Sequence, residues 1–259
     1  MIMLFNNIVR YRTLLVELTI DGIKARYKGT VLGVLWAIAQ PLMLSAFCIA
    51  GFSRMWGGRA SVSYPLFVYS SMVVWTLFAT AVSNGVSSLT QNSHLIKKIY
   101  FPREILVLAA VAPPLVDFLF SFLLLMSVLI YSGILFHKSM LFLPMILAVQ
   151  MSLILGISFA GSLLNVILPD VSRALPIALT GLMFLSPVLY SYDTVGGEHR
   201  MLYLLNPLGG IVESFRNVLL DQRAPDTQMF LIPLLMSLIF LALGYRIFKY
   251  GESIMADVL

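Results

Sequence analysis

The sequence predicts an all-α integral membrane protein with six transmembrane helices, on three observations. Of its 259 residues, 59% are hydrophobic and 11% charged, where a soluble domain carries about 25% charged residues. Long apolar runs recur along the chain, and a helix needs about 20 such residues to cross a hydrocarbon core roughly 30 Å thick. Lysine and arginine collect in alternate connections between those runs. So little polar surface cannot cover the apolar mass of a water-soluble fold, and intrinsic disorder is excluded for the same reason. The single Cys48 rules out an intramolecular disulfide. The net charge of +5 reads as basic residues kept on the cytoplasmic side rather than as nucleic-acid binding.

Residues 1–31 precede the first run. Within 4–28, Leu4, Ile8, Tyr11, Leu15 and Leu18 recur at helical spacing with Asn7, Arg10, Glu17, Asp21 and Lys24 between them. This predicts an amphipathic helix in the cytoplasmic interface, its basic end near anionic lipid headgroups, or else a helix packed on the protein's own loops. Asn6, Asn7, Arg10 and Arg12 interrupt any signal-peptide core, so the first run is expected to be an uncleaved span.

The spans fall near 32–53, 65–89, 105–136, 140–168, 174–190 and 228–248. The third is longer than a bilayer requires, so Pro113-Pro114 should kink it or part of it should lie at the interface. The fifth is short and broken by Pro187. Six spans put both termini on one side. Eleven lysines and arginines on that side face three in the short loops opposite, which predicts cytoplasmic termini. Stretch 191–227 is too polar at its ends for a span, yet 201–220 is mostly apolar and interrupted by Asn206-Pro207 and Gly209-Gly210. It reads as a re-entrant outer segment, or as two amphipathic helices on the outer surface. The whole chain, 1–259, is expected to form one transmembrane domain, closed by the sixth span and a tail over 228–259.

Catalytic patterns are missing. Asp21-Gly22-Ile23-Lys24-Ala25-Arg26 opens like the metal-binding motif of membrane alcohol phosphotransferases, but Leu35, Ala39 and Met43 stand where the glycine and later carboxylates belong. His94, His137 and His199 have no ligand spacing, and no phosphate-binding loop is present. No catalytic, cofactor or metal residue is therefore assigned. Asp117 alone lies well inside a span; it serves either the translocation path or pairing with a neighbouring helix. One carboxylate makes a poor proton wire, so the energy source should lie outside the chain.

The connection after the second span, 90–104, mixes apolar and basic residues: Asn92-Ser93-His94-Leu95-Ile96-Lys97-Lys98-Ile99-Tyr100-Phe101-Pro102-Arg103-Glu104. It suits a short surface helix offering Leu95, Ile96, Tyr100 and Phe101 to a soluble partner. With Ile105-Leu106 and Leu115-Val116-Asp117-Phe118, this segment resembles the permease subunit of ABC transporters that export polysaccharides, of the Wzm (O-antigen), KpsM (capsule) and TagG (teichoic acid) types. Arg26-Tyr27-Lys28-Gly29-Thr30-Val31-Leu32-Gly33-Val34-Leu35-Trp36 with Gln40-Pro41-Leu42 resembles that family's entry into its first span. Ser186-Pro187-Val188-Leu189-Tyr190 resembles the outer end of its fifth, and Asn206-Pro207-Leu208 with Glu213-Ser214-Phe215-Arg216 its re-entrant region.

The resemblance implies a homodimer in the inner membrane, each subunit seated on a separate nucleotide-binding ATPase that alone holds ATP and Mg. It implies that His94, Leu95, Ile96, Lys97, Lys98, Tyr100, Phe101, Arg103 and Glu104 couple to the ATPase. Asn206, Pro207, Glu213 and Arg216 would belong to the segment narrowing the outer mouth of a channel. A lipid-linked polysaccharide passing there should meet aromatic faces, for which Tyr64, Tyr69, Trp75, Phe78, Tyr190 and Tyr192 are candidates, although such residues also populate membrane interfaces generally. Other readings are a drug or lipid exporter of the same superfamily, or a membrane enzyme acting on lipid-linked sugars.

Overall fold

The computed structural model describes residues 2–56, 64–134, 137–190 and 205–252. Its elements in order are α1 (Ile2–Arg10), α2 (Arg12–Tyr27), α3 (Leu35–Trp56), α4 (Tyr64–Gln91), α5 (Ser93–Lys98), α6 (Glu104–Tyr131), a 3₁₀ turn (Lys138–Phe142), α7 (Leu143–Ile167), α8 (Asp170–Leu185), α9 (Pro207–Leu219) and α10 (Thr227–Tyr250). Among the described residues no strand occurs, and five helices (α3, α4, α6, α7 and α10) are long and apolar enough to cross a membrane. The chain is a multi-pass membrane protein, helical throughout its described core.

Helix α8 covers most of the fifth predicted span in 16 residues, a length of about 24 Å. Its chain then leaves the helix at Ser186. Helix α6 runs unbroken through Pro113-Pro114 and ends at Tyr131, a few residues short of the predicted run. The single amphipathic helix expected over 4–28 is two helices, broken at Tyr11. They do not stand apart from the bundle: Ile8, Leu14, Leu15 and Leu18 pack onto its core, and α2 runs along α6. Arg12, Glu17, Asp21 and Lys24 stay exposed on the other face. At the end of α2, Gly29 adopts a φ of 77°, a left-handed value that a residue with a Cβ disfavours. This turn sends the chain from α2 into α3.

Helix α4 is the central post, with α3, α6 and α7 around it. The main core is built from α4, α6, α7 and α9 around Met72, Phe78, Leu125, Ile146 and Val212. A second cluster (Leu89, Ile105, Phe159, Phe248) fills the end nearest α1 and α5. Apolar side chains gain little from leaving lipid for each other, so polar ties and close backbone contact fix the helices. Gln150 donates to the Val74 carbonyl at 2.8 Å, Ser121 to Ala37 at 2.7 Å, and Asn165 to Thr90 at 3.2 Å. Where α7 crosses α10, a Cβ on Gly244 would overlap the Gly156 carbonyl, so both glycines are needed for that approach.

Helix α9 is not laid on a surface. Nine of its 13 residues are buried, packed on α4, α7 and α10. Its start follows from local chemistry: Asn206 caps it by accepting from the Leu208 amide at 3.1 Å, and Pro207 occupies the first turn. The first part of the predicted outer segment, 191–204, lies outside the described residues.

Candidate functional site

Three polar constellations stand out in an otherwise apolar bundle. The first is the connection between α4 and α6. Asn92 starts the six-residue α5, Ile99 ends it in extended backbone, and Tyr100 follows outside any helix. Tyr100 is 98% exposed and Ile99 58% exposed, beside exposed His94, Lys97 and Lys98. A cavity of about 810 Å³ opens next to them, between this loop, α1 and the end of α10. Arg10, Lys97, Lys98, Arg103 and Lys249 line it, with Glu252 as its carboxylate.

Two expectations for this loop change. Phe101 is buried in the second core cluster, and Leu95 and Ile96 lean onto it, because a short helix lying on a bundle must turn its apolar side inward. The apolar tip left exposed is Ile99-Tyr100. Ile99, missed by motif reading, is an apolar residue between a lysine pair and an aromatic ring. Glu104 is fully buried and does not face outward. Its carboxylate accepts from Asn7 at 2.8 Å and from Lys249 at 2.9 Å. Lys249 also reaches Glu252 at 2.9 Å, and Arg103 donates to the Glu252 backbone carbonyl. A carboxylate in an apolar site must find such partners, since burial of an unpaired charge is costly.

The second constellation surrounds Asp117. The Arg26 guanidinium lies 2.7 Å from one carboxylate oxygen, and the Tyr27 hydroxyl donates to the other. The pairing comes from the N-terminal helix rather than from another span. Burial, and then the adjoining Asp117 carboxylate, push the Tyr27 phenol well above its usual pKa. Gly22, one turn before Arg26, faces the Pro113 ring.

The third lies at the base of α9. Arg216 is buried, pairs with Glu213 one turn earlier, donates to the Tyr190 carbonyl at 3.3 Å and stacks over the Phe67 ring at 4.1 Å. Asn206 ties α9 to Ser186 at 2.8 Å. The segment 186–190, α4 and α9 are thereby fastened to one another.

The aromatic candidates for a channel wall are placed differently from expectation. Tyr64, Tyr69, Trp75 and Phe78 are buried inside this one chain. Tyr64 donates to the Leu189 carbonyl at 3.1 Å and Tyr69 to Ser121 at 3.2 Å. They lie on the faces of the central helix that its neighbours cover, whereas Thr76, Thr80, Ser83 and Ser87 form a half-buried stripe along it. Tyr190 is partly buried and Tyr192 lies outside the described residues. The rings left at the surface along α3 and α8 are Trp36, Phe47 and Phe184.

A model of the family described as "ABC-2 type transporter" matches residues 13–220. The chain is 26% identical over 262 residues to the O-antigen export system permease protein RfbA of Myxococcus xanthus, covering 98% of this chain and all of that one. It is 28% identical over 210 residues to the RfbA protein of Klebsiella pneumoniae, with 80% of each covered. It is 23% identical over 236 residues to the polysialic acid transport protein KpsM of Escherichia coli, with 90% and 91% covered.

Proposed function

This chain belongs to the ABC-2 type transporter family, and on that premise we propose that it is the permease subunit of an exporter moving a lipid-linked polysaccharide, an O-antigen first, across the inner membrane. The names of the relatives support the polysaccharide class, since O-antigen and polysialic acid permeases both align along most of the chain. ATP and Mg bind a separate nucleotide-binding subunit, on which the α5–α6 loop docks. Two copies of the chain form the channel. Both termini are cytoplasmic, α8 with residues 186–190 is the fifth of six spans, and α9 is the descending part of a re-entrant outer segment.

The observation that carries this reading is the exposed Ile99-Tyr100 tip among Lys97, Lys98 and His94. Adjacent apolar side chains exposed and rimmed by basic residues have the pattern of a protein contact surface. Nearby Phe101 shows that an aromatic side chain in this loop has the option of burial.

The test is purification from native membranes in mild detergent, followed by ATPase assay and mass spectrometry of what accompanies the chain. A stoichiometric ATPase subunit is expected, and its retention should fail when Tyr100 is replaced by Glu. Reproducible absence of any ATPase would return the enzyme reading to consideration.

A further inference from the structure

Arg103 and Glu104 close the docking loop, and both hold the last turn of α10. Arg103 donates to the Glu252 carbonyl, and Glu104 receives Lys249. Helix α10 is in turn locked to α7 along its length. The two backbones meet at Gly156 and Gly244, and Leu163 covers Gly251. Phe159 of α7 places its ring 5.5 Å from Tyr245 and 5.3 Å from Phe248. Backbone contact at that crossing leaves no compliant side-chain layer there, and the close-packed rings beside it couple the two helices further. The charge pair that joins the loop to this unit is an expensive way to gain stability. A buried pair of this kind roughly breaks even against an apolar replacement, and what it supplies is a fixed geometry.

We propose that Lys249 and Glu104 are positioning residues that carry displacement of the docking loop into α7 and α10, which move as one body relative to α3. The proposal rests on the reading of the α5–α6 loop as the ATPase docking site. A push on Ile99-Tyr100 reaches Glu104 through four residues of chain. It then passes to Lys249 through a 2.9 Å ion pair and to Gly156 through the Gly244 contact.

The experiment uses the permease with its ATPase in lipid nanodiscs, in a Cys48→Ser background, with spin labels at Phe47→Cys on α3 and Leu164→Cys on α7. Both positions are exposed. The probe is ATP with vanadate, which traps the closed ATPase. The unaltered pair should show a nucleotide-dependent change in the α3–α7 distance. Lys249→Met should lose that change; because Lys249 also lines the cavity beside the docking tip, the distance is read only in complexes that have retained the ATPase and trapped nucleotide. Glu104→Gln, which keeps the shape of the side chain, should lose it to the same degree. The double variant should lose no more than either, because both act through one contact. Leu89→Ala, a cavity in the same apolar cluster, should lower the yield of folded protein and leave the distance change intact.

An undiminished α3–α7 change in both Lys249→Met and Glu104→Gln overturns the proposal. So does a distance change that Leu89→Ala abolishes equally, which would mark a role in folding only, and so does a wild-type complex whose α7 does not move. Failure of the docking reading looks different: ATPase binding would then survive Tyr100→Glu.

Discussion

Arg26 and Asp117, from two ends of the N-terminal half, meet at 2.7 Å with side-chain exposures of 26% and 12%. Tyr27 completes the set from the adjacent position. The carboxylate sits thirteen residues into α6, about 20 Å along the helix. It therefore fixes how deep α2 reaches beside α6. Because Gly29 turns the chain only two residues later, it also fixes where α3 begins.

Replacing Asp117 by Ala should cost about 3 kcal/mol, the low end for breaking a buried pair, since Arg26 keeps some access to water. Tyr27→Phe should cost about 1.5 kcal/mol, the loss of one hydrogen bond to a charged group. Thermal unfolding in detergent measures both. Asp117→Ala combined with Arg26→Ala should be less destabilising than the sum of the two single changes. Full additivity would show that the ion pair does not hold the helices.

Tyr100→Glu and Ile99→Glu should abolish ATPase retention without reducing the amount of folded permease, because neither side chain supports the bundle. Phe101→Ala should do the reverse first, costing about 3 kcal/mol as a buried aromatic is removed. Comparing co-purified ATPase with the monodisperse yield of each variant separates the two effects.

Gly244→Ala should destabilise the protein by about 1–3 kcal/mol, because the added methyl forces α10 off the Gly156 carbonyl. Gly181→Ala, where no atom stands near the added carbon, should be neutral or slightly stabilising through helix propensity. Unfolding temperatures measured side by side decide this.

Arg216→Ala should cost about 3–5 kcal/mol by leaving Glu213 without its partner in an enclosed site. Arg216→Lys should recover only part of this, since an ammonium cannot both stack on Phe67 and hold the Tyr190 carbonyl in the guanidinium geometry. Protease protection of the 205–220 segment reports the loss locally.

What the sequence determined by itself is what local composition dictates. Apolar runs had to become membrane helices because no other backbone arrangement satisfies its own hydrogen bonds in lipid. The ends of α4, α7 and α10 accordingly fall within a few residues of the runs at 65–89, 140–168 and 228–248. The exposed Lys97-Lys98 pair and the cap at Asn206-Pro207 are equally local. Tertiary structure decided everything that depends on which face of a helix meets which neighbour. Membrane helices are apolar on every side, so periodicity could not tell that Tyr69, Trp75 and Phe78 face inward from the central post. Nor could spacing tell that Phe101 would be buried while Ile99, two residues earlier, was left exposed. The partners of Asp117 and Glu104 were also closed to local reading. Each charge had to be neutralised by whichever chain segment packing brought beside it, and for Asp117 and Glu104 those segments lie 90 or more residues away.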